Sequence, residues 1–171
     1  MKITVLNGSP RANGNTIALV DSFKKGAESV GHNVTVFNVA TMKINGCIGC
    51  EYCQDKEYGQ CAFKDDMSKI YDNLKDTEMV VFASPVYYWG FTGQLQSTLS
   101  RFYAIDRPPK AEKYGLILSS YSPNVYDAII SQYKDVVAYL GGKETGIITA
   151  YGPQNKSPEK LTEAYNFGKN L

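Results

Sequence analysis

The sequence predicts an α/β protein: an open, parallel, five-stranded sheet with helices on both faces. Three observations predict it. Strand-like and helix-like segments alternate five times along the chain. The run Met79–Ala83 is apolar without interruption, as a strand covered on both faces must be. At 171 residues, with no internal repeat, low-complexity tract or linker, the chain has the length of one domain, 1–171. Five strands in such a chain most often take the order 2-1-3-4-5, with right-handed crossovers and ligands at the carboxyl ends of the strands.

Each element has its own signal. Lys2–Asn7 (KITVLN) is a β-branched run stopped by Gly-Ser-Pro, hence a strand. From Asn15 to Val30 the apolar residues Ile17, Leu19, Val20, Phe23 and Ala27 keep a helical rhythm that Gly31 closes. Asn33–Val39 reads as the second strand. Asp65–Asp76 places Met67, Ile70, Tyr71 and Leu74 on one helical face, with acids at its front end. The third strand follows at Met79–Ala83. Gly93–Tyr103 is helical, with Leu95, Leu99, Phe102 and Tyr103 inward. Lys113–Ser120 is the fourth strand, Tyr126–Leu140 a helix ended by Gly141-Gly142, and Glu144–Gly152 the fifth strand. A last helix begins at Ser157 as N-cap with Pro158 in its first position.

Composition narrows function. A formal net charge of +1 leaves no electrostatic footprint of a nucleic-acid binder. No apolar run reaches the roughly 18 residues of a membrane span. The start, MKITVLNGSP, is too short for a signal peptide, so a cytoplasmic protein is expected. His32, after Gly31 at a turn, reads as a surface residue without a role.

In this topology the loops after strands 1, 3 and 4 share one rim. The first, NGSPRANGNT, leads into a helix N-terminus, where unpaired N–H groups and the positive dipole end gather. Ser9, Asn13, Asn15 and Thr16 add donors there, and Arg11 a fork for a phosphate. Neither G-x-G-x-x-G nor Gly-Lys-Ser/Thr is present, so a phosphate monoester is the natural ligand. A well-capped strand-to-helix loop is the alternative. The second loop, SPVYYWGFTGQ, carries Pro85, Val86, Tyr87, Tyr88, Trp89 and Gly90. Its aromatics suit a flat heteroaromatic ring, a helix-packing cluster or a subunit interface. The third loop offers Ser119, Ser120 and Tyr121. Together they fit a nucleotide with a flat head, such as FMN.

All four cysteines fall in one loop, 44–63: Cys47, Cys50, Cys53 and Cys61. Close thiolates followed by a fourth are typical of cubane ligation, whereas structural zinc sites more often use two separated pairs. Free thiols, a labile disulfide, a redox dithiol or zinc remain open on spacing alone. In an emptied loop Cys47 and Cys50 would lie close enough to oxidise.

NGSPRANGNT, the Cys-x-x-Cys-x-x-Cys loop and ASPVYYWGFTGQLQSTLSRFY together resemble the NADPH-dependent FMN reductase and iron–sulfur flavoprotein families of the flavodoxin-like superfamily. The resemblance implies a flavodoxin-like three-layer sandwich and an FMN-dependent oxidoreductase that takes a hydride from NAD(P)H at the flavin N5. It places the FMN phosphate at Ser9, Arg11, Asn15 and Thr16 and the isoalloxazine at Pro85 to Gly90. It also implies a homodimer or homotetramer and, with a [4Fe–4S] cluster on the cysteines, delivery of single electrons to a ferredoxin-type partner; without one, the acceptor is a small molecule. No side chain is assigned acid–base work, and donor and acceptor are expected to use one site in turn. A non-enzymatic flavodoxin-like electron carrier and a four-cysteine metal-binding scaffold are the rival readings.

Overall fold

The computed structural model describes all 171 residues. Five strands, β1 (Lys2–Asn7), β2 (Asn33–Asn38), β3 (Met79–Pro85), β4 (Lys113–Ser120) and β5 (Lys143–Tyr151), form one parallel sheet in the order β2-β1-β3-β4-β5. The helices are α1 (Asn15–Ser29), α2 (Tyr52–Asp55), α3 (Met67–Leu74), α4 (Gly93–Ser100), α5 (Asp127–Tyr139) and α6 (Pro158–Lys169). The fold is flavodoxin-like, as expected.

Side chains of β1 and β3 alternate between two cores, the period-2 signature of a doubly covered sheet. Ile3, Val5, Val81 and Ala83 pack with Leu19, Val20, Phe23 and Ala27 of α1 and Ala164 of α6. Leu6, Val80 and Phe82 face α3, α4 and α5. Phe82 is the hub of that second core, with the rings of Phe91, Phe102, Tyr114 and Tyr133 at 6.2–6.5 Å. On the first face α1 and α6 touch backbone to backbone. A Cβ on Gly26 would stand 1.9 Å from the Tyr165 carbonyl oxygen, and one on Gly168 2.1 Å from that of Phe23.

Register aligns the strand ends. Asn7 lies level with Asn38 on one side and Ala83 on the other, Pro85 with Ser119, and Ser120 with Tyr151. The loops that follow therefore leave from a common rim.

Every strand and helix expected from the sequence is present, the short α2 inside the cysteine loop was not expected, and several ends differ. The helix expected over Asp65–Asp76 is only α3, because Asp65 turns away to bond other groups. The helix expected to Tyr103 stops at Ser100 and tightens into a 3₁₀ turn, Arg101–Ala104. That turn buries Arg101 and Phe102 but swings Tyr103 outward, 44% exposed, where its hydroxyl donates to Glu51 Oε2 at 2.6 Å. β3 runs on to Pro85 because Ser84 and Pro85 still pair with β4. Val39 leaves β2 for a 3₁₀ turn, and β5 spans Lys143–Tyr151. His32 is half-buried, its Nδ1 3.1 Å from the amino terminus.

One buried ion pair fastens the cysteine loop to this frame. Arg101, 1% exposed, donates from Nη1 to Asp65 Oδ2 at 2.8 Å and to the Asn45 carbonyl at 2.9 Å, and from Nη2 to Asp65 Oδ1 at 3.3 Å. The Phe63 ring lies 5.1 Å from its guanidinium. Asp65 also accepts the Asn45 and Met67 N–H groups. Burial alone would push its carboxyl upward; the bonds from Arg101, Asn45 and Met67 outweigh this and hold it below the ordinary 3.8.

Two outcomes follow from this packing. Gly26→Ala forces the α1–α6 backbones apart and lowers the unfolding free energy by about 1–3 kcal/mol, read from urea midpoints. Because the Asp65 carboxyl titrates lower in the folded than in the unfolded chain, its stabilisation is present above the unfolded value and is lost as pH falls through the native one. Asp65→Asn strips that contribution, costs about 3–5 kcal/mol at neutral pH because it leaves Arg101 buried and unpaired, and flattens the acid limb of a stability–pH profile.

Candidate functional site

The β1–α1 loop is tied to the loops on either side of it. Gly8 donates its N–H to the Ala83 carbonyl at 2.8 Å, and its own carbonyl accepts the Thr92 hydroxyl at 3.0 Å. A Cβ on Gly8 would lie 2.5 Å from Thr92 Oγ1, so only glycine permits this approach. Asn7, fully buried, accepts the Ser9 N–H on Oδ1 at 3.1 Å and donates from Nδ2 to Asn38 at 2.9 Å. Thr16 Oγ1 and Ser119 Oγ meet at 2.7 Å, joining the first loop to the end of β4. Lys156, from the β5–α6 loop, donates to the Asn13 carbonyl at 2.8 Å.

These ties present the start of α1 to the rim without a cap. Its N-cap is Gly14, which has no side chain, and no acidic residue stands in the first turn. The first N–H groups of a helix have no partner within it, and here no side chain supplies one. Ser9 is buried beside this end, and the exposed Arg11 and Lys156 bring positive charge to the same loop. Asn13 and Asn15 are exposed on it. The result is an anion cradle made of helix N–H groups, hydroxyls and two cations, with no carboxylate in it.

The β3–α4 loop forms the adjoining wall. Ser84 Oγ accepts the Thr92 N–H at 3.1 Å, and Thr92 caps α4 by accepting the Leu95 N–H. Tyr87 and Gly90 exchange two backbone hydrogen bonds of 3.1 Å across Tyr88 and Trp89, whose φ values are +51° and +61°. Two successive left-handed residues make a tight turn that Asn-Gly usually supplies; with bulky side chains the strain is about 1–3 kcal/mol each. Val86 N–H goes to the Ser119 carbonyl at 2.7 Å, so within Val86–Gly90 the backbone donors left over are those of Tyr88 and Trp89. Of the readings open for these aromatics, a helix-packing cluster fits Phe91 alone, which enters the core; Tyr87 is 47%, Tyr88 98% and Trp89 56% exposed.

In the third loop Ser119 and Ser120 are buried and Tyr121 is exposed. The Ser120 hydroxyl donates to the Ser122 carbonyl at 2.7 Å and lies 2.6 Å from the Tyr126 hydroxyl. The rim thus gathers Ser9, Arg11, Thr16, Ser119 and the Pro85–Gly90 turn. Sequence reading did not single out Asn7, Thr92 or Lys156. An Asn closing a strand before Gly-Ser-Pro is a signal for Asn7; nothing local marks Lys156.

The cysteine loop leaves the same rim after β2. Its base is closed by Lys43–Asp66 and Asn45–Asp65 hydrogen bonds. Cys47, Cys50, Cys53 and Cys61 line one pocket together with Ile48, Phe63, Arg101 and Tyr103, and all four are free thiols. Cys53 is buried on the short α2, and this burial pushes its thiol pKa up. The Gly49 N–H points at Cys47 Sγ (3.4 Å) and Gln54 Nε2 at Cys53 Sγ (3.7 Å). The hollow between them is ≈ 20 Å³, about one water. No three His, Cys, Asp or Glu side chains stand together as a single-ion site. The largest cleft, ≈ 810 Å³, lies apart from the rim, between the end of the cysteine loop and α3.

The sequence model of the NADPH-dependent FMN reductase family matches residues 1–151. An iron–sulfur flavoprotein of Archaeoglobus fulgidus is 30% identical over the whole chain and 79% of its own length. One of Methanocaldococcus jannaschii is 29% identical over the whole chain and 95% of its length. Among solved structures, an NAD(P)H:quinone oxidoreductase from Methanothermobacter marburgensis superposes with a TM-score of 0.76 at 15% identity, covering 100% of this chain and 96% of that one. An FMN-dependent NADH-azoreductase of Bacillus anthracis in complex with FMN gives 0.69 at 15% identity, covering 99% and 96%. The chain belongs to the NADPH-dependent FMN reductase family and is an NAD(P)H-dependent flavin oxidoreductase.

Proposed function

We propose that the rim holds FMN with its phosphate at the start of α1 and its ring against the Tyr87–Gly90 turn, and that the cysteine loop carries a [4Fe–4S] cluster. The observation that carries the flavin reading is the uncapped N-terminus of a 15-residue helix, flanked by Ser9, Thr16 and Arg11 and free of carboxylates. A phosphate dianion is the ligand such an end selects. Bound there, FMN supplies two-electron chemistry between a reduced nicotinamide and an acceptor.

The chain's own part is to bind and orient. Arg11 and the helix N–H groups take the phosphate charge. The unpaired N–H groups of Tyr88 and Trp89 offer donors at the ring's polar edge, held in place by the Tyr87–Gly90 bonds and needing no reorganisation. No titratable side chain is required in the transfer. The exposed Tyr87, Tyr88, Trp89 and Tyr121 suit a face completed by a second copy of the chain, so we read the functional unit as a homodimer or homotetramer.

Four thiols around one pocket, two of them approached by N–H donors, are the donor set of a cubane cluster. Cys47 and Cys50 are the exposed members of the set, Cys53 the buried one. A cluster there supplies one-electron exchange, which makes a ferredoxin-type protein an acceptor beside small molecules. Free cysteines agree with a reducing cytoplasm. No helix is long and apolar enough to cross a membrane.

Arg11→Ala is expected to weaken FMN binding at least tenfold, about 1.4 kcal/mol, with riboflavin binding unchanged, as flavin fluorescence titration would show. Equal loss for both flavins, or none, contradicts the phosphate assignment. Cys53→Ala should keep full FMN and lose iron in protein purified without oxygen; iron and sulfide analysis beside the visible spectrum reads both.

A further inference from the structure

Arg101 does more than fasten the cysteine loop. It is one of two partners in a buried ion pair whose ends face different spaces. Arg101 lines the pocket of the four thiols; Asp65 does not, and lines instead the adjoining ≈ 810 Å³ cleft, which shares only Cys61 and Phe63 with that pocket. Both are nearly sealed from water, at 1% and 8% exposure, so little solvent screens their field. The guanidinium is held in a fixed attitude by Asp65, the Asn45 carbonyl and the Phe63 ring. Its Nε–H is buried and has no partner. A buried charged donor left unpaired is costly, and structural clamping does not account for it.

We propose that the Arg101–Asp65 pair is a fixed dipole, positive end toward the cysteines, that sets the reduction potential of the group they hold, with Arg101 Nε–H as the donor to it. This rests on the cluster reading given above. One-electron reduction of a four-thiolate cluster adds one negative charge; no bond forms or breaks. A positive end nearby favours the reduced state and raises the potential. Arg101 thus acts on the potential both through its Nε–H and through the field it presents.

The test uses the holoprotein, purified without oxygen, in spectroelectrochemical titration with a chemical reductant. Removing the positive end (R101Q) should lower the midpoint potential by at least a tenfold change in the reduction equilibrium, about 59 mV for one electron. Removing the negative end (D65N) should raise it. The double variant R101Q/D65N should return toward wild type. A purely structural clamp predicts the same direction of change, or the same iron loss, in both single variants, and that result overturns the proposal. Should R101Q lose its iron, D65N decides alone: an unchanged or lowered potential overturns it. Wild-type protein with FMN but no iron refutes the cluster reading itself, and the dipole's role with it.

Discussion

Everything at the rim depends on one constraint, the register of β1 against β2 and β3. Because Asn7 stands level with Asn38 and Ala83, the chain emerges from β1 beside the end of β3. Gly8 can then bond both Ala83 and Thr92. That tie fixes where α1 begins, and so where its free N–H groups point. Shifting the register by one residue would exchange the two faces of β1 and carry the loop out of reach of Thr92. The site is thus a consequence of sheet pairing, and its polar atoms are oriented before any ligand arrives.

The cysteine loop is governed by a different interaction. It is long, carries few apolar anchors and holds two Gly residues in the left-handed region, Gly49 and Gly59. Its shape comes from the ends: backbone pairing of Lys43 with Asp66, and the Arg101–Asp65 pair behind it. The rim and the tethered cysteine loop both leave the sheet at the carboxyl ends of its strands, which puts them on the same side of the molecule.

What the sequence made legible were features with local causes. The uninterrupted apolar run of β3, the helical rhythm of apolar residues in α1 and the Ser157-Pro158 start of α6 all decide structure within a few residues, and all are found as expected. That the loops after β1 and β3 meet at one rim was legible because topology alone brings them there. What stayed hidden has tertiary causes. Nothing local ends α4 at Ser100, where the chain tightens into the 3₁₀ turn that carries Arg101 to Asp65. The turn at Tyr88-Trp89 lacks the usual glycine or asparagine and is held by its flanking strand and helix. The four-residue α2 is too short to leave a periodic trace. Gly26 and Gly168 look like poor helix residues until α1 and α6 are seen in backbone contact.

The central claim is that a phosphate-bearing flavin binds at the start of α1, away from the larger cleft beside α3. The most direct measurement is a ¹H–¹⁵N amide shift map of the apoprotein titrated with FMN and, separately, with riboflavin. The account predicts large shifts at Asn15, Thr16 and Ile17 with FMN, absent with riboflavin, and shifts at Tyr88 and Trp89 with both. Shifts centred on Phe63, Tyr71 and Ile105, with the start of α1 silent, would contradict it.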